Sequence, residues 1–105
     1  HERDLMFRSV RMLCAYRLKD KKRGLYNDLT IDFFIDEISK GCVYCGDNEK
    51  IGLDRIDNEL GHSKDNVVPC CYVCNTARNK NFTFEEMKII GLAIKQVKKV
   101  RNEKN

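Results

Sequence analysis

Two Cys-x-x-Cys pairs constrain what this chain can fold into more than anything else in it. "CVYCG" starts at Cys42 and "CYVCN" at Cys71, which gives the spacing C-x2-C, 25 residues, C-x2-C. Each pair turns its backbone so that both sulfurs face one point, and four converging thiolates suit tetrahedral zinc. Gly46 follows the first knuckle, where a tight turn is needed. Cys42, Cys45, Cys71 and Cys74 are therefore expected to hold one structural zinc, closed by four sulfurs and without an open position for chemistry. "PCCYVC" also offers Cys70, but only Cys71 leaves a two-residue gap before Cys74. Cys70 is read as a buried free thiol, and Cys14, alone in the first helical segment, as core. Disulfides are the competing use of six cysteines, and they belong to secreted chains. The charged opening "HERDLMFRSV" has no apolar signal core. The expected location is intracellular: cytoplasm, nucleoid or a phage- or virus-infected cell. No run of eighteen apolar residues occurs, so neither a membrane span nor a membrane partner is expected.

A staple matters here because 105 residues with no tryptophan and 9% aromatic content build only a modest core. One domain over residues 1–105 is expected. "LTIDFFIDEISKG" (29–41) carries helix signals: Thr30 as N-cap, Leu29 and Phe34 as a hydrophobic staple, and Gly41 to close the end. "TFEE" (83–86) is a capping box opening a helix over 83–101, with Phe84, Met87, Ile90, Ile94 and Val97 as its buried stripe. Residues 3–19 read as a helix whose inner face carries Met6, Val10, Leu13 and Arg17. It lies in a basic extension, 1–28, that ends in a loop. "IGLDRID" (51–57) and "NVVP" (66–69) read as strands, and a further helix is expected from Cys74 or Asn75.

Charge is segregated. Residues 1–23 hold eight Lys and Arg against three Asp and Glu, residues 24–60 three against nine, and residues 61–105 nine against four. Basic flanks suit a polyanion, and an acidic middle suits a divalent cation; a merely charge-rich surface is the plainer alternative.

The order is thus a knuckle, a strand carrying "LDRID", a turn with Gly61, "NVV", a second knuckle and Asn75. This order resembles the HNH endonuclease superfamily, whose fold is the ββα-metal motif. It is most similar to the zinc-stapled branch that includes phage enzymes and PacI-type rare-cutting restriction enzymes. The resemblance covers residues 41–81. It implies a small α+β, treble-clef-like core with flanking helices. It also implies a DNA endonuclease or nickase that hydrolyses phosphodiester bonds, with Mg2+ or Mn2+ for catalysis. Carried over, Asp54 becomes a ligand of the catalytic cation, Asn66 the residue bracing the loop, and Asn75 the second cation ligand. Asn79, one helical turn on, is a third ligand or a phosphate contact. Carboxylate and amide oxygens are the hard donors such ions take.

One position departs from the family pattern. Where the strand usually ends Asp-His, this chain has Asp54-Arg55. Arginine keeps its proton, so Arg55 suits phosphate binding and not proton abstraction. Asp57, on the same strand face, is read as its ion-pair brace. Enzymes of the PacI type are thought to recruit another side chain, such as a tyrosine, from the preceding segment. Here the candidates are His62, Tyr26 and Glu37, with Tyr44 and Tyr72 read as packing. Arg8, Arg11, Lys21, Lys22 and Arg23, with Arg55, Arg78 and Lys80, are expected to contact DNA, the expected substrate being double-stranded and a homodimer being one route to cutting both strands. Two other functions stay open: an HNH-derived module that binds nucleic acid without cutting it, and a zinc-stabilised protein-interaction domain.

Overall fold

The computed structural model describes residues 2–103; residues 1, 104 and 105, the outermost of the expected single domain, lie outside the described residues. In chain order the elements are α1 (Glu2–Arg23), α2 (Ile31–Ser39), β1 (Ile51–Arg55), a single 3-10 turn (Lys64–Asn66), β2 (Val67–Cys71), α3 (Tyr72–Arg78) and α4 (Phe84–Glu103). β1 and β2 form an antiparallel pair in which Ile51 faces Cys71, Asp54 faces Val68 and Arg55 faces Val67. Leu13, Leu29, Phe34, Ile51, Leu53, Val67 and Met87 make the apolar core together with the buried cysteines.

The elements with local start signals form where those signals put them. The Thr30 hydroxyl accepts the Phe33 N–H at 3.3 Å, and Leu29 and Phe34 are both buried, so the staple holds the entry to α2. Gly41 follows α2 with φ +82°. At α4 the Thr83 N–H donates to Glu86 Oε1 at 2.8 Å, and the Glu86 N–H donates to Thr83 Oγ1 at 3.1 Å, a complete capping box. Met87 at its first turn is fully buried and Phe84, Ile90 and Ile94 are partly covered, but Val97 lies 48% exposed.

β1 stops at Arg55, two residues short of the expected end. The Asn66 side chain takes the Asp57 N–H at 2.9 Å and turns the chain away. β2 runs on to Cys71, so Pro69 and Cys70 lie in the strand and the Pro69 carbonyl accepts the Val43 N–H of the first knuckle at 2.8 Å. α3 starts at Tyr72, earlier than expected, because the Cys71 sulfur acts as its N-cap and accepts the Cys74 N–H at 3.4 Å. Asn79 falls just past the end of α3, at φ +40°, and not on its helical face.

α1 differs most from expectation. It continues to Arg23, so Lys21, Lys22 and Arg23 form its last turn and not a loop. Its inner face carries Ser9, Leu13, Tyr16 and Asp20, whereas Met6, Val10 and Cys14 are exposed and the Arg17 guanidinium caps the Leu29 carbonyl at 2.7 Å. Apolar residues surround this helix on every side, so hydrophobic period alone does not pick a face. Close approach and polar partners do. A Cβ on Gly52 of β1 would lie 2.7 Å from Met12 Cε and 2.9 Å from Tyr16 Oη, so α1 packs directly over the strand at that glycine.

Candidate active site and metal centre

The ligand atoms of Cys42, Cys45, Cys71 and Cys74 all lie within 4.8 Å of one another, and all four residues are buried. The Cys45 and Cys71 sulfurs are 3.6 Å apart, near the roughly 3.8 Å edge of a tetrahedron with Zn–S bonds of about 2.3 Å. None of the four forms a disulfide. The first knuckle is held by Cys42 N–H to the Asp47 carbonyl at 2.8 Å and Gly46 N–H to the Cys42 carbonyl at 2.9 Å, with Gly46 at φ +80°. Donation from the Cys70 and Cys74 thiols drives Cys42 toward the thiolate, while the same contact with Cys42, and then burial, push Cys74 up. A quartet this tight cannot carry four negative charges by itself, and a divalent cation removes that restriction. The donor set thus fits a structural metal such as zinc. Lys98 of α4 reaches the same cluster, donating to Cys45 Sγ at 3.3 Å, Cys71 Sγ at 3.4 Å and Asp47 Oδ2 at 2.8 Å. Cys70 is buried outside the quartet.

The knuckles set β1 against α3, and a cleft of about 440 Å³ opens between them and α1. Asp54, Arg55, His62, Asn75, Asn79 and Lys80 all line it. Lys19 and Arg23 add positive charge from the end of α1. Asp54 is 7% exposed. Its Oδ2 accepts the Tyr44 hydroxyl at 2.6 Å and Arg78 Nη1 at 2.6 Å, while Oδ1 has no hydrogen bond among the described residues. That free oxygen and the exposed Asn75 amide, with Asn79 beside it, form a hard donor set on the cleft wall. Oxygen donors of this kind are those a divalent cation takes, although the guanidinium on Oδ2 offsets part of the Asp54 charge.

Three expectations change here. Arg78 does not reach solvent: it is 2% exposed. Besides the Asp54 pair, it donates to the carbonyls of Arg55, Ile56 at 2.8 Å and Phe82 at 3.1 Å. It is a buried clamp and not a DNA contact. Arg55 has no ion pair with Asp57. Its guanidinium caps the Leu60 carbonyl at 3.1 Å, and Asp57 Oδ1 accepts the Glu59 N–H at 2.9 Å. Asp57 lies beyond the end of β1, so the alternation that put it on the Arg55 face does not apply. Tyr44, read as packing, is buried against the site and donates to Asp54.

Asn66 makes three bonds across the loop: Oδ1 accepts the Asp57 N–H, and Nδ2 donates to the Asp57 carbonyl at 3.0 Å and the Gly61 carbonyl at 2.9 Å. Of the remaining basic residues, Arg8 donates to the Ile51 carbonyl at 3.0 Å, Arg11 sits over the Phe7 ring, and Lys21 and Lys22 are exposed. Tyr26 is 70% exposed, and neither it nor Glu37 lines the cleft.

The segment before the first knuckle does supply side chains to the cleft, from α1. Tyr16 lines it, accepts the Leu53 N–H at 3.0 Å and stacks on His62 with ring centroids 4.4 Å apart. Asp20, 1% exposed, meets His62 Nδ1 at 3.1 Å. Both were missed in the sequence, although Leu13, Tyr16 and Asp20 follow one another at helical spacing, with Lys19 and Arg23 one turn apart on an adjacent line.

Two antiparallel strands and a cysteine knuckle leading straight into a short helix make a small α+β, ββα fold. The rare-cutting HNH restriction endonuclease PacI is similar to this chain with a TM-score of 0.75, covering 90% of this chain and 81% of that one at 23% identity. In sequence, 61 residues are 36% identical to the uncharacterized protein R423 of Acanthamoeba polyphaga mimivirus, over 55% of this chain and 12% of that protein. The chain therefore spans about an eighth of that relative's length. No family model matches. Among the described residues, no helix is long and apolar enough to cross a membrane.

Proposed function

We propose that this chain is a divalent-metal-dependent DNA endonuclease or nickase that hydrolyses phosphodiester bonds. The observation that carries it is one cleft holding a half-free carboxylate, two amides, a histidine and several cations, mounted on a four-cysteine frame. In this reading zinc occupies the cysteines, and Asp54 Oδ1, Asn75 and Asn79 hold Mg2+ or Mn2+. The cation, when bound, polarises the scissile phosphate and offsets charge on the leaving 3′ oxygen. Arg55 neutralises a phosphate oxygen, and Asn66 fixes the loop that carries His62. Lys19, Arg23 and Lys80 hold the DNA backbone next to the cleft, with Arg8, Arg11, Lys21 and Lys22 further out along α1, a grip that weakens with salt. A single cleft of this kind cuts one strand, so cutting both strands of a duplex takes a second copy or a second visit. Free thiols throughout suit a reducing, intracellular setting, and the viral relative is compatible with an infected cell.

A second reading, a module that binds DNA without cutting, draws support from Arg55 in the place of the water-activating histidine. Plasmid nicking decides between them. The expected outcome is relaxation of supercoiled DNA by the wild-type chain with Mg2+ or Mn2+, and its loss in Asn75→Ala, an exposed site whose change spares the core. Salt-sensitive DNA binding without nicking under either ion rejects the enzyme in favour of the binding module, and no DNA binding at all rejects both.

A further inference from the structure

The nuclease reading leaves the base unassigned, and arginine at position 55 cannot fill that role. Besides Asp54, read above as a cation ligand, the cleft wall holds two candidate groups, Tyr16 and His62. Burial raises Tyr16 above the ordinary phenol value, with the Leu53 N–H and Arg8 opposing it, so Tyr16 stays protonated near neutral pH. His62 is different. Its Nδ1 lies 3.1 Å from both Asp20 oxygens, and its own backbone N–H donates to Asp20 Oδ2 at 2.8 Å. Asn27 Nδ2 donates to the same oxygen at 2.9 Å, so the carboxylate is fixed from three directions. Burial would push Asp20 up, but the backbone and ring of His62, then Asn27, outweigh it and keep the carboxylate ionised. An ionised carboxylate facing Nδ1 selects the tautomer with the proton on that nitrogen. Nε2 is then bare. Among the described residues it has no hydrogen-bond partner, and it is not a fully buried unpaired atom, so it keeps solvent access in a residue that lines the cleft.

We propose that Asp20 and His62 form a dyad in which His62 Nε2 activates the attacking water and Asp20 is the positioning residue that sets its tautomer. The inference rests on the nuclease reading for its chemical step. Water oxygen bonds to phosphorus as the P–O3′ bond breaks; the water proton passes to Nε2, and the departing 3′ oxygen takes a proton from solvent. The imidazolium so formed faces Asp20 until it releases its proton. Tyr16, stacked at 21° to the ring, holds the imidazole plane.

The groups facing His62 are Asp20, Lys19 and Tyr16 from α1 and Arg55 from β1. Burial lowers His62 from its ordinary value; Asp20 opposes this, and Arg55 and Lys19 add to it. The base is therefore unprotonated at neutral pH, and nicking should fall only as pH drops below the usual histidine range.

Two measurements on the folded chain test this. Nitrogen NMR of His62, one of two histidines in the sequence, is expected to show a protonated Nδ1 and a bare Nε2; a protonated Nε2 in the wild type overturns the dyad whatever the activity. In nicking assays, His62→Ala is expected to lose roughly 10²–10⁴-fold in kcat. Asp20→Asn is expected to lose at least about tenfold in kcat with KM unchanged. Its acid limb should move to lower pH, because the carboxylate no longer supports the imidazolium, and in the His62→Ala background it should cost nothing further. An active wild type whose pH profile and kcat survive Asp20→Asn overturns the dyad alone. An inactive wild type overturns the nuclease reading, and the dyad's catalytic role with it. Should Asp20→Asn fail to fold, the wild-type tautomer and His62→Ala still decide.

Discussion

Arg78 is a cation with almost no access to water, and its neighbourhood explains why. One guanidinium serves four acceptors: the Asp54 carboxylate and three carbonyls on β1, the loop after it and the turn before α4. Only a planar fork with several fixed donors can do this, so lysine is not a substitute. Removing one partner of such a pair strands the other. Arg78→Met is expected to destabilise the fold by about 3–5 kcal/mol, read from urea unfolding. Arg78→Lys should recover only a minor part of that loss. This role was not legible in the sequence. Three of the four partners lie 22 to 24 residues upstream, and an arginine among polar neighbours on a short helix reads as solvent-facing until the strand that covers it is in place. Asp20 was hidden in the same way, its partner 42 residues away. Asp54 and Asn75 were legible as candidates only through the resemblance, which matches the strand aspartate and the asparagine that follows the second knuckle.

Elements were legible to the degree that their ends are written locally. α2 and α4 start at Thr30 and Thr83 because a hydroxyl there answers a backbone N–H within three residues. In α4 both halves of the reciprocal cap are made, so Thr83→Ala should lower stability by about 1 kcal/mol, a shift readable in thermal melts. The helix stays in place, since Met87 and its partly buried neighbours still pack. α1 shows the limit. Its length was underestimated because the lysines and arginines of its last turn resemble a loop, though basic side chains at a helix C-terminus complement its dipole. Its inner face was misjudged because Tyr16 and Asp20 are selected by what they meet, not by hydropathy.

At the scale of the molecule, the four-cysteine frame does what a larger core would do in a longer chain. It joins the loop before β1 to the end of β2 and to α3, and through Lys98 it also engages α4. Metal analysis is expected to find one zinc per chain. Its removal by a strong chelator or a thiol-blocking mercurial should unfold the protein cooperatively, seen as loss of far-UV dichroism, because a buried thiol quartet without its cation has little to hold it closed. The charge blocks in the sequence also acquire a meaning at this scale. Lys19 and Arg23 from the first basic block and Lys80 from the second meet across one cleft, with acidic-block residues at its floor.

The position of α1 carries a consequence for how the protein is made. On the ribosome this helix emerges before the strand it packs on: Asp20 can meet Asn27 early but waits for residue 62 to complete its set, and the Tyr16 hydroxyl waits for the Leu53 N–H. The second knuckle comes later still. The cleft is lined by residues from Tyr16 to Lys80, so it takes shape only after that whole stretch has emerged and the second knuckle can meet the first.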